Sequence, residues 1–389
     1  MKKILFYSFF TLFLWGGVSA CSNGKQSDQT KEDSLQYTGD AAKRIEVEYA
    51  EGFRLQYIPG AVLATLSDPQ NPEEATQYHF AFIQDAAQCD KSAIPSEYTQ
   101  VSIPLNRVVC MTTLQLSNFI ALDQLDKVVG MSSTRHLFNQ EVKERIKSGK
   151  INKIGIEGNF DREVVMAIEP DIILISPFKR GGYDDLKDVD IPLIPHLGYK
   201  ENSPLGQAEW IKFIGLLLGK ESEANKVFAE LRDEYNKWKE IAEKATPRPT
   251  VFSGDLKSGT WYAVGGKSFL AQLFRDAGAD YFLKDDPNTG GVTLDFETIY
   301  SKAAEVDYWR ILSSFDGEFT YGALQAQDER YKDFKAFKEK GVIHCNLSTT
   351  PYYESAIIHP DLLLKDFIKV FHPELLPEYT PTYYHRLEH

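Results

Sequence analysis

In an open parallel sheet, ligands are met by the residues that follow the carboxyl ends of the strands. Applied to the buried, β-branched runs of this chain, that rule collects a mixture of threonines, cations and aromatic rings. The first half supplies Thr112 and Thr113, Ser132 to His136, Phe178-Lys179-Arg180 and Tyr199. The second half supplies Asp255 and Lys257 with Trp261 and Tyr262, then Phe315, then Tyr352 and Tyr353. Aromatic walls with a few positive groups suit a large ligand that is flat or chelated and carries negative charge. The candidate ligand contacts are therefore Thr113, Arg135, His136, Phe178, Lys179, Arg180, Tyr199, Lys257, Trp261, Tyr262, Phe315 and Tyr352.

Signatures of covalent chemistry are scarce. Gly265-Gly266-Lys267-Ser268 looks like the end of a phosphate loop, but Trp261 stands where the earlier glycine is required. No G-x-S-x-G elbow and no His-Glu-x-x-His occur. His136, His196 and His344 could meet in space around a metal, although separate buried or loop histidines explain them more simply. Nothing in these motifs asks for an enzyme, and nothing in them excludes one.

The elements that must position these residues come in two similar sets. Val108 to Met111, Val128 to Met131, Ile172 to Ile175 and Leu193 to Pro195 read as strands covered on both faces. Helices over Thr113–Leu122 and Asp161–Ile168 lie between them. After residue 246 the same grammar resumes: strands at Thr250–Phe252, Tyr308–Leu312 and Val342–Cys345, and helices at Phe269–Ala277, Phe296–Ala304 and Leu362–Val370. Between the sets, Trp210 to Leu218 and Ala224 to Ile241 carry apolar residues at helical spacing for about seven turns. The second segment would run roughly 37 Å before Pro247 stops it. It serves either as a strut between two halves or as a core helix of one domain.

The expected organisation is α/β: residues 1–20 a signal peptide, 21–43 a polar tether and 44–205 a first lobe with an extra strand-rich leading segment. Residues 206–246 are connecting helices and 247–389 a second lobe. In the leading segment, Ile45 to Tyr49 and Tyr78 to Ile83 alternate like strands of an antiparallel or edge decoration. Each set also opens a helix with Asp-x-Glu: Asp161-Arg162-Glu163 and Asp295-Phe296-Glu297. Helix capping and the favourable first turn explain both acids whatever the function.

The chain has 389 residues and a formal charge of −13, which argues against nucleic acid as a partner. Lys2 and Lys3, an apolar run from Ile4 to Trp15, and small residues before Cys21 make an export signal. Val18-Ser19-Ala20-Cys21 is similar to a lipobox, in which Cys21 would be acylated. Removal of Lys2 and Lys3 with the signal takes −13 to −15. Cys89, Cys110 and Cys345 cannot all pair, although a Cys89–Cys110 bridge is compatible with export.

Arg107-Val108-Val109, Ile168-Glu169-Pro170-Asp171-Ile172-Ile173 and Leu217-Leu218-Gly219-Lys220-Glu221 with Ala224 stand in a distinctive order. Gly265-Gly266-Lys267-Ser268-Phe269, Ala277-Gly278-Ala279, His359-Pro360-Asp361 and Phe371-His372-Pro373 continue it. In this order the phrases resemble a known family, the substrate-binding lipoproteins of bacterial ABC importers for cobalamin, ferric siderophores and haem. That resemblance implies a binding protein without a resident metal or cofactor, not an enzyme. The resemblance implies two doubly wound lobes joined by one long rigid helix, with the ligand held between them. It also implies that Glu163 and Glu297 dock on arginines of a permease driven by its ATPase. Ile156 and Gly291 fall where the best-known relative has cobalamin-lining tryptophans, which favours an iron chelate or haem over a corrinoid. A monomer, lipid-anchored in the cell envelope and facing the periplasm, is expected. The competing readings are a tethered metal-dependent hydrolase using His136 and His196, and a carbohydrate-capture lipoprotein.

Overall fold

The computed structural model describes residues 44–71, 76–156, 158–177 and 182–388. The signal, the tether, Cys21 and the Phe178-Lys179-Arg180 cluster lie outside the described residues. The leading segment forms a four-stranded sheet of β1 (Phe53–Ile58), β2 (Ala61–Leu66), β3 (Tyr78–Ile83) and β4 (Thr99–Ser102). Its neighbours are antiparallel except for the parallel β3–β4 pair.

The first parallel sheet takes β5 (Val108–Cys110), β6 (Val128–Met131), β7 (Asn152–Lys153), β10 (Ile172–Ile175) and β11 (Leu193–Pro195), in the order β11-β10-β5-β6-β7. Helices α1 (Thr113–Ala121), α2 (Gln140–Lys147), α3 (Arg162–Ala167) and α4 (Asp184–Lys187) connect it, with a hairpin of β8 (Gly155–Ile156) and β9 (Asn159–Phe160) before α3. Continuous apolar runs form these strands because both faces are buried. Val108, Cys110, Ile172 and Leu174 join one apolar cluster, and Val109, Met111, Ile173 and Ile175 join another on the opposite face.

The helical stretch between the sheets folds as α5 (Pro204–Leu218) and α6 (Glu221–Ala242). Ser203 caps α5 and Pro204 begins it, while Gly219 ends it at a φ of 65°, a conformation glycine adopts without penalty. A β-carbon on Gly215 would stand 2.4 Å from that of Ala224, so glycine lets the two helices meet closely at their junction. At 22 residues α6 is about 33 Å long. Every residue of α5 is buried, including Glu209 and Lys212, which pair at 2.7 Å.

The second parallel sheet has the order β15-β12-β17-β18-β19, built from β12 (Thr250–Ser253), β15 (Asp280–Tyr281), β17 (Tyr308–Ser313), β18 (Val342–Asn346) and β19 (His385–Arg386). Only β19 runs antiparallel to its neighbour. A three-stranded antiparallel sheet sits beside it: β13 (Asp255–Lys257), β14 (Thr260–Val264) and β16 (Gly291–Leu294). The helices of this half are α7 (Phe269–Asp276), α8 (Phe296–Ala303), α9 (Tyr321–Gln327), α10 (Lys335–Lys338), α11 (Tyr352–Ser355) and α12 (Pro360–Phe371).

One local expectation needs correction. Ile45 to Tyr49 is not a strand. The amides of Glu48, Tyr49 and Ala50 donate instead to the buried Glu209 carboxylate at 2.8, 2.6 and 2.8 Å. Glu201 accepts from Glu51 and Gly52 at 2.9 and 2.8 Å. Two carboxylates thus do for this segment what a ladder would have done, and they fasten it to α5 and the turn before it. Phe53 and Phe82 then pack their rings on Trp210 and Phe213 of α5.

Polar straps also join the parts that carry the two parallel sheets. The buried Glu354 of α11 accepts from the amides of Phe138 and Asn139 at 2.6 and 3.0 Å. Glu354→Ala leaves both amides without an acceptor and should cost about 2 kcal/mol in urea unfolding, with Glu354→Gln retaining part of it. An unchanged midpoint in the alanine variant would show that the strap carries no stability.

Candidate functional site

The carboxyl ends of both parallel sheets open on one cleft of about 1050 Å³. Thr112, Thr113 and Leu114 reach it from the end of β5, and Ser133, Arg135 and His136 from beyond β6. Ser253 and Gly254 close β12, Leu312 to Ser314 end β17, and Leu347 follows β18. Asp255, Leu256, Lys257 and Tyr262 come from the antiparallel sheet, and Tyr353 from α11. A second, more apolar recess of about 210 Å³ adjoins it, sharing Leu114, Val264, Arg310, Leu312 and Tyr353.

Of the residues chosen from sequence, Thr113, Arg135, His136, Lys257 and Tyr262 line the main cleft. Tyr199 and Tyr352 line the recess. Trp261 lines neither: successive side chains of a strand point to opposite faces, and β14 turns Tyr262 outward and Trp261 inward. The Trp261 ring is fully buried against Phe252 and Trp309, and its Nε1 donates to the Ser253 carbonyl at 3.0 Å. Phe315 also stays out of the cleft, its ring packed on Phe319 at 5.1 Å.

Arg310, which the sequence reading passed over, is the cation at the cavity floor. It lies within β17 and lines both the cleft and the recess. Its Nη2 donates to the Tyr384 hydroxyl, its guanidinium sits 4.9 Å from that ring, and its buried Nε has no partner. No carboxylate pairs with Arg310 or Arg135 among the described residues. Lys257 is partly neutralised, its Nζ standing 3.6 Å from Asp255. Burial raises the Asp255 carboxyl, with Lys257 and Arg310 opposing that rise.

His136 holds a left-handed backbone, φ 57°, which non-glycine residues rarely adopt. Its Nδ1 stands 2.9 Å from the Leu347 carbonyl and its ring 5.4 Å from that of Tyr353. The three histidines considered as metal ligands are not gathered. His196 packs on Trp210 within the core, and burial pushes it down to about 4. His344 lies against Phe319 and is likewise depressed to about 4, chiefly by burial. No group of three metal-ligating side chains occurs among the described residues.

The glycines of the Gly265-Gly266-Lys267-Ser268 stretch serve packing. A β-carbon on Gly265 would lie 2.1 Å from the Asn288 carbonyl oxygen, and one on Gly266 2.3 Å from that of Leu283. Ser268 caps α7 by accepting from the Ala271 amide at 3.2 Å. Cys89, Cys110 and Cys345 are all free.

Glu163 and Glu297 are exposed in the first turns of α3 and α8. The caps expected there are present: Asp161 accepts from the Val164 amide at 3.0 Å and Asp295 from that of Thr298 at 2.7 Å.

Two parallel sheets thus turn their carboxyl ends to one cleft between α/β halves, and no group of three metal-ligating side chains occurs in it among the described residues. The model of the periplasmic binding protein family matches residues 108–348. An uncharacterized lipoprotein of Methanocaldococcus jannaschii is 26% identical over 298 residues, 73% of this chain and 69% of its own. A periplasmic heme binding protein from Pseudomonas aeruginosa has a TM-score of 0.56 at 18% identity, covering 73% of this chain and 99% of that one. A protein of an ABC-type Fe3+-hydroxamate transport system from Saccharomonospora viridis has a TM-score of 0.52 at 17% identity, covering 69% and 94%. The chain belongs to the periplasmic binding protein family. It is accordingly a substrate-binding component of ABC-type transport that works with a permease outside the cytoplasm, and not an enzyme.

Proposed function

We propose that this protein captures an anionic iron complex, a ferric siderophore or haem, and delivers it to an ABC permease. Residues 44–205 and 247–389 act as the two lobes, and Cys21 carries the lipid anchor. The observation behind the ligand class is the pair Arg135 and Arg310, two guanidiniums without carboxylate partners on one cleft of a strongly acidic chain. Phenolic rings of Tyr262 and Tyr353 beside them favour a flat or chelated anion over a simple one. The apolar recess gives room for a hydrophobic part of the same ligand. Relatives point the same way: one structural neighbour is a haem-binding protein and another belongs to Fe3+-hydroxamate transport.

Trp261 and Trp309 donate to the carbonyls of Ser253 and Gly254 at the cleft wall, so indole fluorescence reports on its occupation. Titration with ferric siderophores, haem and cobalamin side by side should give saturable quenching by an anionic iron complex. The affinity should weaken between about 0.05 and 0.5 M salt, as screening of exposed charge requires. Binding of cobalamin alone, or salt-independent binding of neutral oligosaccharides, would overturn the assignment.

A further inference from the structure

We propose that Met166 and Tyr300 are the apolar anchors by which this protein seats on its permease, one beside each docking glutamate. The inference rests on the docking role given to Glu163 and Glu297. Among the described residues, the large apolar side chains left substantially exposed are Ile156, Met166, Tyr262 and Tyr300. Tyr262 faces the ligand cleft, and Ile156 lies on the β8–β9 hairpin. The remaining two, 64% and 39% exposed, each stand three residues after Glu163 or Glu297.

The two helices match position by position. Each begins with an aspartate cap, exposes a glutamate in its first turn, buries one aliphatic side chain, Val165 or Ile299, and then exposes Met166 or Tyr300. Residues three apart share a helix face, so each glutamate lies beside an exposed apolar group. Neither glutamate has an ion pair among the described residues, and Arg330, near Glu297, is committed to Asp328 at 2.7 Å. Tyr300 is backed by Phe296 and Phe334, with ring centroids 6.1 and 5.5 Å away, so its ring is already held in place.

An acid beside an unpartnered apolar group fits a cation at the rim of an apolar socket. Covering the apolar group removes water from the ion pair, which an exposed pair alone does not achieve. Tyrosine anchors such contacts at low entropic cost, and methionine adapts to irregular sockets. The permease is the occupant this chemistry selects, because the feature recurs once in each half of a transport protein. An anionic lipid surface would instead repel the flanking acids.

The test uses the full lipidated chain in its own cells, with photoreactive benzoylphenylalanine placed singly at positions 163, 166, 297 and 300. Adducts are identified by mass spectrometry. A permease subunit should be captured from all four positions. Met166→Ser combined with Tyr300→Ser should lower the permease yield from 163 and 297 at least 10-fold, while fluorescence titration of the purified variant with the chosen ferric chelate stays unchanged. Permease adducts at 163 and 297 but none at 166 and 300 would overturn the anchors and leave the docking acids standing. So would an undiminished yield in the double serine variant, or capture of only a second copy of this chain at 166 and 300. No permease adduct from any position would refute the docking role itself.

Discussion

Arg310→Met should lower the affinity for an anionic ferric chelate by roughly 30- to 5000-fold while leaving the ligand-free protein at least as stable. The first figure follows from the loss of about 2–5 kcal/mol when one partner of a buried, hydrogen-bonded charge pair is truncated. The second follows from the state of Arg310 without ligand. Its hydrogen bond and ring contact are both to Tyr384, and its Nε has no partner. A half-buried guanidinium with its Nε shut off from water and no ion-paired carboxylate carries part of a desolvation penalty, and methionine relieves it while filling much of the same space. Arg310→Lys restores the charge as a point without the planar fork, so affinity should recover only in part. Isothermal titration and thermal unfolding of the three proteins separate the outcomes. A melting temperature that falls in step with affinity would make Arg310 a structural residue and remove it from the ligand site.

The sequence reading missed Arg310 for a physical reason that also explains where it succeeded. Strands covered on both faces announce themselves as continuous apolar runs, so Val128 to Met131 and Ile172 to Ile175 were found with their observed bounds. Ligand contacts are expected beyond the strand ends, whereas Arg310 sits inside Tyr308 to Ser313. A lone cation within such a run was itself the available signal, since arginine is rarely buried without a partner or a task. Trp261 and Tyr262 show the complementary difficulty. Both are expected among the residues that follow the Thr250–Phe252 strand and meet the ligand, but they lie in an antiparallel strand whose alternation sends one ring into the core and the other to the cleft. Ile45 to Tyr49 had the alternation of a strand and no partner strand. What holds it is the Glu209 carboxylate, 160 residues away along the chain from Tyr49, and no local pattern encodes that.

Glu163→Arg together with Glu297→Arg should abolish uptake of the iron complex and leave its affinity for the purified protein within about twofold of the parent. Affinity is insulated because neither glutamate lines the cleft or the recess. Folding is insulated because Asp161 and Asp295 continue to cap the helices, and a cation in the first turn costs only about 0.3–1 kcal/mol. Transport is exposed because two like-charge contacts against a cationic permease surface each cost several kcal/mol. The single reversals should fall between parent and double variant, and Glu163→Gln with Glu297→Gln should weaken uptake less than reversal, since it removes attraction without adding repulsion. The separation of the two acids bears on this. The Glu354 strap, the His136–Leu347 contact and an apolar cluster continuous from Val62 to Tyr384 tie the two parallel sheets together. On the proposed function, ligand capture should therefore order loops more than it moves one acid relative to the other, and both reversals should act equally on loaded and empty protein. Cell uptake of the iron-labelled chelate, measured beside titration of each purified variant, checks both halves of the expectation. Affinity that collapsed along with uptake would place these glutamates in ligand binding and end their docking role.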